Sequence, residues 1–151
     1  MSQSLSKIYL HIVFSTKNRT PFLRDQSIRS KMHAYLAGAF KGMESPAVLI
    51  GGTEDHVHVL CRFSRDRTVS QLIRESKRTS SKWIKTQHVD CRRFQWQVGY
   101  GAFSVSASLV EKVRKYIESQ EQHHKKFSFQ EEFRRLLKKH GIEFDERYVW
   151  D

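Results

Sequence analysis

The chain has 151 residues, enough for one domain with its own core and too few for two. Aromatic residues at 12% argue against disorder, and a formal charge of +11 points to a polyanionic partner, nucleic acid before an acidic membrane surface. No apolar run approaches the roughly 20 residues of a membrane span, and Cys61 and Cys91 form neither a CxxC pair nor a four-ligand zinc set. No stretch reads as a signal peptide, so a reducing cytoplasm is the expected compartment.

Residues 7 to 15, KIYLHIVFS, read as a strand. Ile8, Leu10, Ile12 and Phe14 fall on one face, and Tyr9, His11 and Val13 on the other. After the basic loop TKNRTPF, residues 24 to 41 read as a helix, with Ile28, Met32, Tyr35, Leu36, Ala39 and Phe40 at spacings of three and four. Gly42 stops it. PAVLIG, 46 to 51, is a short strand, and Gly51-Gly52 turns the chain into the next strand over 55 to 63, a hairpin. Residues 69 to 86, VSQLIRESKRTSSKWIKT, form a second helix whose apolar stripe is Val69, Leu72, Ile73 and Trp83. FQWQVGY, 94 to 100, is expected as the fourth strand, with GAFSVSAS as a Gly/Ser-rich connector. Ser108 and Glu111 fit a capping box for a third helix over about 109 to 124. A basic amphipathic helix over about 128 to 139, ended by Gly141, precedes the tail GIEFDERYVWD.

This βαββαβ order predicts an α+β, ferredoxin-like antiparallel sheet with two helices on one face and additional C-terminal helices, all in a single domain over 1–151. The other face stays open unless the third helix lies there.

His56 and His58 share a strand face. Val57, Val59, Cys61 and Phe63 then face the two covering helices, while His56, His58, Leu60 and Arg62 face the open side. Two imidazoles so placed can bind one divalent ion, although an exposed pair is the plainer reading of a bare HVH and a third ligand is needed. Tyr116 and Gln120, four apart, share a helix face. The Gln120 carbonyl can join a metal shell, and the Tyr116 phenol, when deprotonated, is a nucleophile; by itself Tyr116 reads as a packing residue. Glu118, Glu121, His123 and His124 are further polar neighbours. Asp55 could accept a proton from an imidazole, but strand alternation points it away from His56, so a turn or solvent role is the plainer expectation; Glu54 could support a ligand or simply end the turn. His11 reads as a packing histidine before one that borders the site, and Trp83 and Trp96 as core or interface residues before base-stacking ones. Lys17, Arg19, Arg24, Arg74, Lys77, Arg78 and Lys82 form a basic set on the early loop and second helix that can hold phosphates.

Together, HIVFSTKNR, EDHVHVL, LIRESKRTSSKWI and KYIESQ resemble the IS200/IS605-like single-tyrosine transposases, a branch of the HUH endonucleases. His56-Val57-His58 stands at the HUH motif, and Tyr116 and Gln120 at the tyrosine-x-x-x-glutamine motif. The resemblance covers about residues 7 to 124 and leaves the basic helix and tail at 125–151 outside it. It implies Mg²⁺ or Mn²⁺ held by His56, His58 and Gln120. It implies attack by Tyr116 on single-stranded DNA, giving a 5′-phosphotyrosine link and a free 3′-OH. It further implies a homodimer, in which a tyrosine helix can complete the partner's site. The implied substrates are hairpin-containing transposon ends or repeated palindromes, contacted by Lys17, Arg19, Arg74, Lys77, Arg78 and Lys82. An RNA-recognition module would share the charge and scaffold but needs an aromatic pattern absent from HVHVLC. A non-catalytic nucleic-acid-binding or regulatory protein is the other alternative.

Overall fold

The computed structural model describes residues 2–151. Strands β1 (Ile8–Ser15), β2 (Ala47–Gly52), β3 (His56–Phe63) and β4 (Gly101–Val105) form one antiparallel sheet in the order β2-β3-β1-β4. Helices α1 (Gln26–Gly42) and α2 (Val69–Ile84) follow β1 and β3, which completes the ferredoxin-like βαββαβ pattern. Beyond it come α3 (Val110–Glu118), α4 (Gln120–His123) and α5 (Phe129–Lys139). Among the described residues no helix is long and apolar enough to cross a membrane.

Alternation along the strands builds two separate cores. Leu10, Ile12, Phe14, Val57, Val59 and Cys61 point to α1 and α2, where they meet Met32, Leu36, Phe40, Leu72, Ile73 and Ile84. Phe14, Phe40 and Leu36 are fully buried, and each such side chain contributes about 1.5–3 kcal/mol. α1 starts at Asp25, whose side chain accepts from Ile28 N–H. Thr68 and Gln71 form a full capping box on α2. Tyr35 of α1 stacks on Trp83 of α2, with ring centroids 4.5 Å apart.

The other face is covered by the chain itself. Val13 and Phe103 meet Phe129, Phe133 and Leu137 of α5, with Phe144, Val149 and Trp150 of the tail packed outside. Ser128 caps α5 by accepting from Glu131 N–H. Gly141, at φ 67, ends it in the left-handed conformation, and Ile142 N–H reaches back to the Leu137 carbonyl. Arg134 pairs with Glu146 at 2.6 Å, and the Asp151 carbonyl accepts from Gly99 N–H. The tail is therefore a strap over the sheet.

Two expected elements move. The fourth strand is not FQWQVGY but the GAFSV that follows it. Only Trp96 makes a bridge, to Thr16, because Ser15 N–H is taken by the Gln97 side chain and the carbonyls of 97–99 turn towards Lys77. Glycine at 101 is required for a different reason: a Cβ there would lie 2.6 Å from the Phe133 ring. The third helix breaks at Ser119, whose hydroxyl donates to the Tyr116 carbonyl at 3.0 Å. Its expected cap is absent too, since Ser108 bonds to Ser106 and Glu111 pairs with Arg114.

α3 lies on β2 and β3, closest at Gly51, where a Cβ would sit 2.6 Å from the Ile117 carbonyl oxygen and 2.8 Å from its Cγ2. Gly51→Ala should therefore lower the unfolding free energy by about 1–3 kcal/mol despite alanine's smaller backbone entropy loss. Urea denaturation reads this directly, and an unchanged midpoint would show that α3 does not press on this strand.

Candidate active site

In the β1–β3 register, Val13 faces His58 and Ser15 faces His56. Both histidines lie on the sheet face away from α1 and α2, as alternation requires, and both are fully buried rather than an exposed pair. What buries them is the segment from α3 to α5. Gly51 lets α3 approach, the break at Ser119 starts a new turn, and α5 then crosses the face above β1 and β3.

These elements meet on one carboxylate. Glu132 Oε1 lies 2.9 Å from His58 Nε2, 3.0 Å from His124 Nε2 and 3.5 Å from His56 Nε2. Glu132 Oε2 accepts from Gln120 Nε2 at 2.8 Å and, by a short hydrogen bond, from the Tyr116 hydroxyl. Gln120 Oε1 lies 3.0 Å from His56 Nε2. All four sequence-assigned residues, His56, His58, Tyr116 and Gln120, are thus assembled within a single chain.

The electrostatics follow from burial. It pushes the Glu132 carboxyl up, but His58, His124 and His56 outweigh it and hold the group ionised, well below the usual carboxylate range. Burial lowers His58 against the opposing pull of Glu132, so its imidazole stays neutral and keeps a lone pair to offer. Burial and then the Glu132 charge raise the Tyr116 phenol, which keeps its proton in this arrangement.

Two residues next to the histidines depart from expectation. Asp55 does not point away: its Oδ1 accepts from His56 Nδ1 at 2.8 Å. It lies in the turn before β3, where strand alternation does not apply. His11 is more than packing, since its Nε2 lies 2.8 Å from His58 Nδ1. Either imidazole of that pair can donate to the other, so His58 can present Nε2 with or without a proton. The Asp55 bond, by contrast, leaves His56 Nε2 with its lone pair facing two oxygens, Gln120 Oε1 and Glu132 Oε1. A proton or a cation must lie between them, and this donor chemistry fits a metal ion. The ligating atoms of His56, His58, His124 and Glu132 all lie within 4.8 Å of one another, so this cluster can coordinate a divalent ion.

Glu132 was invisible to motif reading because it lies in the C-terminal helix. The signal was a charge on an apolar stripe: Phe129, Glu132, Phe133 and Leu136 follow helical spacing, and Glu132 is only 2% exposed. His124 was one of several polar neighbours with nothing to single it out.

The basic set is spread around the sheet. Lys17, Arg74, Lys77 and Arg78 line a groove of about 670 Å³ together with Lys85, Trp96, Val98 and Tyr100. Within it the Lys77 ammonium already donates to the carbonyls of Gln97, Val98 and Gly99, and burial pulls its pKa down to about 8. Arg19 lies over the Trp150 ring, Arg24 pairs with Glu54, and Lys82 is exposed on α2. Trp96 is a core residue against Phe14 and Phe94. A second pocket, of about 400 Å³, opens beside the carboxylate cluster and is lined by Arg29, Asp55, His124, Lys125 and Ser128.

Asp55→Ala should leave the fold intact but weaken Mn²⁺ binding by about 10–100-fold, because His56 loses the partner that fixes its tautomer. Calorimetry on both proteins measures it, and equal affinities would remove Asp55 from the site.

Comparison with known proteins agrees with this arrangement. The sequence model of the IS200-like transposases matches residues 4–120. No curated protein matches by sequence. Among solved structures, the chain is similar to a candidate transposase from Deinococcus radiodurans R1, with a TM-score of 0.61 and 19% identity over 80% of this chain and 98% of that one. It is also similar to a REP-associated tyrosine transposase bound to a REP hairpin, with a TM-score of 0.58 and 13% identity over 82% of this chain and 74% of the other. At these identities the two structures speak for the fold, while the sequence match covers most of the chain. The chain belongs to the IS200-like transposase family.

Proposed function

We propose that the protein is a metal-dependent transposase that cuts and rejoins single-stranded DNA through a 5′-phosphotyrosine at Tyr116. The observation that carries this reading is the convergence of the Tyr116 hydroxyl, the His56–His58 pair and Gln120 on one buried point. In this reading His56, His58 and Gln120 hold Mg²⁺ or Mn²⁺. When bound, the ion withdraws charge from the scissile phosphate and offsets that of Glu132.

The chain's own residues supply the rest. Glu132 Oε2 orients the Tyr116 hydroxyl, whose proton passes to water as its oxygen attacks phosphorus. The new bond is phosphorus to phenolic oxygen, the bond broken is phosphorus to the 3′-oxygen, and that oxygen leaves and takes up a proton. One phosphodiester replaces another, so a 3′-OH can reverse the step and join a new strand without nucleotide hydrolysis. The pocket beside the site mixes Lys125 and His124 with Glu54, Asp55 and an Arg29–Glu121 pair, so the phosphate's charge is left for the bound ion to offset.

The DNA partner is single-stranded and hairpin-bearing, a transposon end or repeated palindrome. The REP hairpin held by the structurally similar transposase supports this, as does the groove lined by Lys17, Arg74 and Arg78. Lys77, Arg19 and Lys82 complete the proposed contact set. The homodimer belongs to the proposal as well.

The test is covalent trapping on labelled single-stranded DNA drawn from the flanking genomic palindromes, with Mg²⁺ or Mn²⁺, resolved by denaturing electrophoresis. Wild type should give a protein-linked band that is lost without metal and in Tyr116→Phe, which keeps the ring but not the attacking oxygen. Unchanged cleavage by Tyr116→Phe, or an adduct mapped to another residue, would reject the assignment. Tight binding of these hairpins with no adduct would favour the non-catalytic alternative.

A further inference from the structure

The His56–His58 ion site of the proposed function leaves two of the cluster's donors unused, and both lie beyond the residues matched by the family. His124 follows α4, and Glu132 is in the first turns of α5. Neither is a surface group that happens to be near. Glu132 is only 2% exposed, and it is a lone carboxylate among apolar α5 residues that pack on the sheet.

We propose that His124 and Glu132 are ligands, making a three-imidazole, one-carboxylate site completed by the C-terminal helix and selective for a first-row transition ion over Mg²⁺. The inference rests on the reading of His56 and His58 as ligands. Donor spacing is the first argument. From Glu132 Oε1 to the three Nε2 atoms the distances are 2.9, 3.0 and 3.5 Å. Donors around a tetrahedral ion with bonds of 2.0–2.1 Å are separated by roughly 3.4 Å, while the four donors here lie within 4.8 Å of one another, so the imidazoles would close in on a central ion.

Donor type is the second argument. Mg²⁺ prefers an octahedron of oxygens, keeps several waters and gains little from imidazole. Three imidazoles and one carboxylate suit Mn²⁺, Co²⁺ or Zn²⁺ better than Mg²⁺. The third argument is the surrounding support. Asp55 accepts from His56 Nδ1, His11 pairs with His58 Nδ1, and Tyr116 and Gln120 donate to Glu132 Oε2. Each of these orients a ligand through the atom that does not face the ion. Glu132 would then touch the ion with one oxygen and the tyrosine with the other. Ion occupancy and the docking of α5 become one equilibrium.

Co²⁺ reports this directly, because four-coordinate Co²⁺ absorbs visible light far more strongly than six-coordinate Co²⁺. The full-length, metal-free protein is titrated with Co²⁺ and then challenged with a large excess of Mg²⁺. Wild type, Glu132→Gln, His124→Asn and His58→Ala are compared, with circular dichroism to confirm that each is folded. Wild type should develop the intense band and keep it against Mg²⁺. Glu132→Gln and His124→Asn, in separate elements, should each lose the band and at least about tenfold in affinity. If both variants match wild type while His58→Ala fails to bind, the C-terminal donors are not ligands and only the His56–His58 reading stands. Displacement by Mg²⁺ overturns the selectivity. No binding by wild type overturns both readings.

Discussion

A carboxylate with 1% of its side chain exposed is costly to bury unless every lone pair is used. Glu132 uses four acceptor positions, for His58, His124, Tyr116 and Gln120. That one requirement joins a strand of the sheet, the broken helix α3–α4 and the C-terminal helix α5 at a single point. Removing any one partner leaves a buried lone pair of the carboxylate unused. Removing the carboxylate leaves three imidazoles facing one another with nothing between them. The chemistry proposed for Tyr116 and the packing of α5 therefore rest on the same atoms.

The two faces of the sheet divide the work. The face under α1 and α2 is an ordinary apolar core and fixes the register of β1 and β3, hence the positions of His11, His56 and His58. The face under α3 and α5 combines a smaller apolar cluster with the buried polar site. Two glycines set the distances there. Gly51 admits α3 and Gly101 admits Phe133 of α5, so neither helix could sit at its present depth over an alanine. The tail strap holds α5 from outside through Arg134–Glu146 and through the packing of Trp150 on Phe129 and Phe133.

Much of this was legible in the sequence because it depends on local period. Alternation in KIYLHIVFS and HVHVLCRF assigned both faces correctly, and the helical spacing of Tyr116 and Gln120 placed them together. The misassignments share a cause, which is that composition stood in for hydrogen bonding. FQWQVGY looks like a strand, but its carbonyls at 97–99 are claimed by Lys77; GAFSV looks like a linker, but it pairs with β1 along its length. Asp55 was misplaced because alternation was extended one residue past the strand. Glu132 was out of reach for another reason. Its partners are 74, 16, 12 and 8 residues away, and no short motif spans those separations.

The same geometry sets a condition on any chemistry at Tyr116. A phenol that donates to a buried, ionised carboxylate is held in its protonated form, and burial strengthens the effect. The proton can move only if the charge left on the tyrosine, or that on Glu132, is offset nearby. Burial keeps His58 and His11 neutral, and only His124, raised by Glu132 against its own burial, supplies part of this offset. A divalent charge among the same Nε2 atoms is the offset that the donor set provides for. It would lie beside the far oxygen of the very carboxylate that restrains the nucleophile. The network that holds the tyrosine protonated is thus the one through which a cation would act on it, and His58, Glu132 and Tyr116 form a single electrostatic unit rather than a metal site with a nucleophile beside it.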